Sequence, residues 1–138
     1  MIQNIIFAND VEYATKIYKW VFETEKCYDC DIVGVFNAVR KLDETQRMMR
    51  ELTDYILLDV RTDEEFKESR IDGAILIPDY ELASRAETEL PNKDMLILIY
   101  CRSGRRSANT AQELIAMGYT NVYDFGGIID WHYETVSG

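Results

Sequence analysis

The chain has 138 residues, enough for one domain, and its 47% hydrophobic content is enough to fold around an interior. No apolar run approaches the ~20 residues of a membrane helix, and Met1-Ile2-Gln3-Asn4 lacks a basic segment ahead of an apolar one, so no membrane span or secretory signal is expected and the expected compartment is the cytoplasm. A formal net charge of −10 argues against nucleic acid as a partner, because phosphate contacts need clustered Lys and Arg.

In chain order, Ile2 to Phe7 reads as a short strand. Val11, Ala14, Ile17, Tyr18, Val21 and Phe22 recur at helical spacing and predict a helix over 10–26, with Asn9 or Asp10 as cap. Ile32 to Leu42 repeats that pattern, and Asp43 to Leu52 reads as another helix, so residues 1–50 form a mostly helical extension. After Asp54 the pattern changes. Tyr55 to Val60 is a short apolar run, read as a buried strand. Asp63 to Ser69 is a polar helix, Ala74 to Ile77 a second strand stopped by Pro78, and Asp79 to Glu89 a helix. Met95 to Tyr100 is nearly all apolar, as central parallel strands are. Ser103 to Met117 is a helix with Ala108, Ala111, Leu114 and Ile115 on its buried face, ended by Gly118. Asn121 to Phe125 is a fourth strand, and Gly126-Gly127 turns into a last short helix holding Trp131. Strands alternating with helices imply an α/β domain with a parallel sheet, whose ligands bind at the carboxyl ends of the strands.

The charge is uneven. Residues 1–50 carry 7 basic and 8 acidic side chains, and residues 51–138 carry 8 and 17. Within the acidic part, Arg102, Arg105 and Arg106 fall inside six residues, which suggests a local anion site. They belong to Tyr100-Cys101-Arg102-Ser103-Gly104-Arg105-Arg106-Ser107, where a buried strand runs into Cys, a short loop follows, and a helix begins. Backbone N–H groups of such a loop, with the positive end of the helix dipole, cradle an anion, and Gly104 permits the turn. The same field favours thiolate over thiol at Cys101, which makes it a nucleophile. A lone Cys at a strand end is ordinarily a small buried hydrophobe. The combination of strand, Cys, Gly, Arg pair and helix is what points to catalysis.

Leu57-Leu58-Asp59-Val60-Arg61, Glu65-Phe66, Ile71-Asp72-Gly73-Ala74-Ile75, the loop from Tyr100 to Ser107, Gly118-Tyr119, Asn121-Val122 and Phe125-Gly126-Gly127 to Trp131 follow one order. In that order they resemble the rhodanese homology domain, over about residues 50–135. The resemblance implies a three-layer α/β/α fold with a central, mostly parallel sheet of four or five strands over residues 51–138. It also implies a sulfurtransferase. The Cys101 thiolate would attack the outer sulfur of a small anionic donor such as thiosulfate, hold it as a persulfide, and pass it to a thiol or cyanide acceptor. Arg102 and Arg105 would draw in the donor, and the amides of Ser103 and Gly104 would hold the outer sulfur. Arg106 would anchor the loop through Asp59 or Glu65. Asp59 and Arg61 would brace the loop with Ser107; an ordinary surface ion pair is the plainer alternative for the first two. No metal or cofactor is called for. One segment departs from the family: where Gly-His-Ile-Pro-Gly-Ala is common, this chain has Ser69-Arg70-Ile71-Asp72-Gly73-Ala74.

Two other readings stay open. Cysteine-dependent phosphatases and arsenate reductases place Arg six positions after the Cys, where this chain has Ser107. A non-catalytic rhodanese-like module would bind a partner instead, and the N-terminal extension keeps a protein partner in view beside simple packing. Three cysteines, an odd count, fit a reducing compartment rather than a disulfide framework. Cys27 and Cys30 form a CxxC pair, read as incidental because zinc wants four ligands. His132, the one histidine, is read as a surface residue of the last helix.

Overall fold

The fold was established from a computed structural model, which describes residues 32–138, with side chains from residue 40. The expected strand at 2–7, the helix over 10–26 and the Cys27/Cys30 pair lie outside the described residues. The chain divides into two compact units, residues 1–44 and 45–138. The site residues described below all lie in the second.

The helices expected at Ile32–Leu42 and Asp43–Leu52 are one continuous helix, α1 (Ile32–Glu51). Neither Gly nor Pro occurs between residues 35 and 51, so nothing breaks it at Asp43. Arg40–Glu44 (3.7 Å) and Arg47–Glu51 (3.5 Å) pair one turn apart along it.

Four strands follow: β1 (Tyr55–Asp59), β2 (Ile75–Leu76), β3 (Leu96–Cys101) and β4 (Val122–Gly127). They form one parallel sheet in the order β2-β1-β3-β4. Strand β3 is buried from Ile97 onward on both of its faces, which explains its unbroken apolar run. Between the strands lie α2 (Asp63–Glu68), a 3-10 turn (Asp79–Glu81) leading into α3 (Leu82–Glu89), and α4 (Arg105–Ala116). The helix expected from Asp79 therefore starts with a tighter turn. It follows Pro78, whose ring fixes the approach of the chain.

On one sheet face, Leu58, Val60, Ile97, Ile99 and Cys101 pack with Leu82 and Ala86 of α3 and Leu114 of α4. On the other, Tyr100 packs against Phe125, and Phe125 against Trp131, with ring centroids 5.4 and 5.7 Å apart. The buried face of α4 keeps Leu114 and Ala111 of the four residues expected there but not Ala108 or Ile115. Ser107, Thr110 and Leu114 point inward, while Ala108 is exposed and Ile115 is 59% exposed. Two hydroxyls occupy core positions because local acceptors satisfy them. Thr110 Oγ1 donates to Arg106 O at 2.6 Å, and Ser107 Oγ has partners in the Cys loop.

Gly126 and Gly127 continue β4 instead of turning out of the sheet. Phe125 is an extra residue in the β3–β4 ladder: Ile99 pairs with Asp124, but Tyr100 pairs with Gly126. This bulge lies beside the Cys loop and requires the positive φ of Gly126 (103°). A 3-10 turn follows at Ile128–Asp130, and Trp131 and His132 lie beyond it in non-helical chain. No described helix is long and apolar enough to cross a membrane.

Candidate active site

The connections from β1 to β2 and from β3 to β4 run in opposite directions across the sheet, so the topological switch falls between β1 and β3. These two strands end in Asp59 and Cys101, and Asp59 pairs in register with Tyr100. The carboxyl end at the switch point is thus where the residues singled out above come together.

Cys101 is the last residue of β3 and is fully buried. Gly104, at φ 103°, turns the chain directly into α4. Its N–H donates to Cys101 Sγ at 2.9 Å, and the positive end of the α4 dipole sits at the same place. Ser107 Oγ lies 3.4 Å from Sγ. Ser103 stays in the loop, two residues ahead of the helix. Arg102, Ser103 and Arg105 are exposed, and among the described residues neither Arg102 nor Arg105 makes an ion pair. Arg102 borders a shallow cleft of about 190 Å³ with Glu68, Ser69, Ile128 and Ile129. Two exposed cations in the segment that follows a buried sulfur suit an anionic ligand approaching the loop.

The partner of Arg106 is Glu65, not Asp59. The guanidinium and carboxylate make two parallel contacts at 2.8 and 3.0 Å. Glu65 is itself held by the start of α2, accepting from Thr62 N (3.1 Å) while Thr62 Oγ1 accepts from Glu65 N (3.2 Å). Hydrogen bonds from Arg106, opposed by burial and helped by Thr62, lower the Glu65 pKa to about 2. A carboxylate lowered in the folded state stabilises fully above its unfolded value and loses that contribution as pH falls through about 2. Solvent screening limits the contribution to about 1 kcal/mol. Urea melts of Glu65→Gln and wild type should differ by that amount at pH 7 and converge toward pH 2. An equal gap at both pH values would contradict the pairing.

Asp59 is engaged by Arg61, in a pair that is buried rather than on the surface. Asp59 is wholly inaccessible and Arg61 is 4% exposed. The carboxylate accepts from Arg61 N (2.9 Å), Nε (3.0 and 3.1 Å) and Nη2 (2.8 Å), and Nη2 also donates to Ser69 O. Burial pulls the Arg61 pKa down, but the Asp59 hydrogen bonds and charge outweigh it and hold it raised. The Arg61 guanidinium lies 5.6 Å from the Tyr100 ring centre, and Ile71 N donates to the Tyr100 hydroxyl at 3.2 Å. Burial, with the Asp59 charge next, raises the Tyr100 pKa, so the phenol stays protonated. Asp59 and Arg61 therefore act on the residue before Cys101, not on the loop itself.

Gly127, read from the sequence as part of a turn, is a site residue that was missed. A Cβ there would overlap the Arg102 carbonyl oxygen and come within 2.6 Å of Ser103 Cα. The backbone of β4 backs directly onto the Cys loop, and Ile129 N donates to Arg102 O at 3.1 Å. The signal available in the sequence was the Gly pair itself, since an isolated strand glycine marks close backbone approach. Gly127→Ala should push the loop off its seat, costing about 1–3 kcal/mol of stability and most of the activity. A variant with wild-type turnover and melting would show that the loop yields freely.

Among the described residues no group of His, Cys, Asp and Glu is arranged to hold a metal ion. His132 stacks on Tyr133 with ring centres 4.3 Å apart.

A family model described as Rhodanese-like domain matches residues 41–134. The thiosulfate sulfurtransferase PspE of Escherichia coli is 37% identical over 81 residues, covering 59% of this chain and 78% of that protein. The putative sulfurtransferase YtwF of Bacillus subtilis is 38% identical over 79 residues, covering 57% and 75%. A solved structure of a rhodanese with anions from E. coli aligns with a TM-score of 0.57 at 36% identity, over 61% of this chain and 99% of that one.

Proposed function

The chain belongs to the family of rhodanese-like domains, and from that premise we propose that it is a sulfurtransferase working through a Cys101 persulfide. It takes sulfane sulfur from a small anionic donor such as thiosulfate and gives it to a thiol or cyanide. Residues 51–138 are the rhodanese-like domain on this reading, and residues 1–50 an extension open to a protein partner. The observation that carries the reading is the seat of Cys101 Sγ: against Gly104 N–H at 2.9 Å, at the start of α4, in a loop whose Arg102 and Arg105 make no ion pair among the described residues.

In the first half-reaction the thiolate electron pair forms a bond to the outer sulfur of thiosulfate. The bond between that sulfur and the sulfite group breaks, and sulfite leaves with its electrons. Arg102 and Arg105 offset the charge of the approaching dianion. The persulfide's outer sulfur then carries the charge, within reach of the loop amides at Ser103 and Gly104. In the second half-reaction an acceptor thiolate or cyanide attacks that sulfur, and Cys101 leaves as thiolate. Asp59 and Arg61 hold Tyr100, Arg106 and Glu65 hold the loop, and Gly127 lets β4 support it from behind.

The phosphatase reading is less well supported, because the sixth residue after Cys101 is the buried Ser107 and not an arginine free to wrap a phosphate.

The test is intact mass spectrometry after incubation with thiosulfate. The wild type should gain the mass of one sulfur atom, and Cys101→Ser should not. No gain on a folded, reduced wild type, with thiosulfate and then with an inorganic polysulfide, would sink the reading and leave a binding module in its place.

A further inference from the structure

Ser107 has more hydrogen-bond partners than it has protons. Its Oγ lies 3.2 Å from Gly104 O, 3.4 Å from Gly126 O and 3.4 Å from Cys101 Sγ. A hydroxyl donates once and accepts twice. The residue is fully buried, so no bulk solvent settles the competition.

On the sulfurtransferase reading above, we propose that Ser107 is a hydrogen-bond switch that follows the charge of Cys101 Sγ through the reaction cycle. When Cys101 is a thiol, its S–H donates to Ser107 Oγ, and the serine proton points to Gly104 O. When Cys101 is a thiolate, the serine hydroxyl turns and donates to the sulfur, beside the N–H of Gly104. The turn leaves nothing stranded, because Gly104 O still accepts from Ala108 N at 3.1 Å. A hydrogen bond to a charged acceptor is stronger than one to a carbonyl, so the thiolate draws the proton over.

The consequence falls on both half-reactions. Before attack, Ser107 stabilises the thiolate, whose own proton has already gone to solvent. In the persulfide, Sγ has two covalent bonds and no net charge, so the hydroxyl returns to the carbonyl. In the second half-reaction the acceptor forms its bond to the outer sulfur, the S–S bond breaks, and Sγ departs with the electron pair. The hydroxyl turns back and stabilises that leaving group. The fixed amide of Gly104 cannot discriminate in this way, since it has no second direction in which to point. The charged group that acts on the sulfur is Arg106 of α4, which is itself acted on by Glu65 from α2 and Asp79 from the turn after β2, while Arg102 and Arg105 belong to the same loop and helix start. A change at Ser107 leaves all of them in place.

The experiment follows alkylation of Cys101 by iodoacetamide against pH, read on the Cys101 peptide by mass spectrometry. Ser107→Ala should move the midpoint up by about one pH unit and slow alkylation about 10-fold below it. Ser107→Thr keeps the hydroxyl and should restore the wild-type midpoint. Single-turnover rates of persulfide formation from thiosulfate, and of its discharge to cyanide, should both fall about 10-fold in Ser107→Ala. An unmoved midpoint in folded Ser107→Ala would overturn the switch, as would a Thr variant that behaves like Ala. If the Ala chain does not fold, the infrared S–H stretch of wild-type Cys101 carries the test. A hydrogen-bonded frequency supports the switch, and a free-thiol frequency overturns it. Alkylation needs no sulfur donor. Failure of the wild type to form a persulfide would therefore sink the functional reading and not this one.

Discussion

Cys101→Ser is expected to reduce thiosulfate-to-cyanide sulfur transfer to background, at least about 10³-fold below wild type, because every turnover passes through a bond to Sγ. The fold should survive. The side chain is buried, but its polar contacts are to Gly104 N–H and Ser107 Oγ, and a serine hydroxyl can take up both. Melting should therefore stay within about 1 kcal/mol of wild type. Separating the two readouts is what gives the experiment force. Loss of activity together with the fold would say only that the loop had collapsed. Retained transfer by a folded Cys101→Ser chain would remove the persulfide from the mechanism altogether.

The largest effect on stability is expected at Asp59. Asp59→Ala leaves the Arg61 guanidinium buried with its charge intact, since arginine does not give up its proton in proteins. Four contacts to the carboxylate disappear, and only the Ser69 carbonyl and the Tyr100 ring remain. Breaking such a pair from one side costs about 3–5 kcal/mol, a large share of a domain's total. Urea denaturation of Asp59→Ala should show that loss. The double change Asp59→Leu with Arg61→Met, which removes both charges, should recover a good part of it. If Asp59→Ala melts within about 1 kcal/mol of wild type, solvent reaches the pair and the burial described above is wrong. Because Arg61 lies against Tyr100, the folded fraction of Asp59→Ala should also transfer sulfur more slowly, through a displaced end of β3.

Much of this was legible one element at a time. The apolar run before Cys101 announced a central strand, because a strand covered on both faces has no polar positions. Gly104 announced the turn, because a positive φ there excludes side chains. The capping box of Thr62 and Glu65 at the start of α2 came from the structure, which places both halves of the reciprocal bond. Other features were hidden because their signal is not local. The face of α4 was half legible: Leu114 and Ala111 pack as expected, but Ala108 and Ile115 face outward while Ser107 and Thr110 take the other packed positions. Hydropathy counts a hydroxyl as polar whether or not a carbonyl in the same turn satisfies it. The partner of Arg106 was narrowed to Asp59 or Glu65, and the choice depended on Arg61 having already occupied Asp59.

The sequence by itself determined the class of the domain and its family, and singled out Cys101 as the candidate nucleophile. The class rests on periodicity, the family on a resemblance carried by short motifs in order from Leu57 to Trp131, and the candidate nucleophile on one contiguous stretch, where neighbours in the chain are neighbours in space. Only the tertiary structure decided that Phe125 is a bulge, that Gly127 lies against the Cys loop and that Ser107 faces the sulfur. Each of these depends on how β4 and α4 meet the end of β3. That meeting is set by strand register and helix rotation, which bring together residues that no pattern along the chain connects.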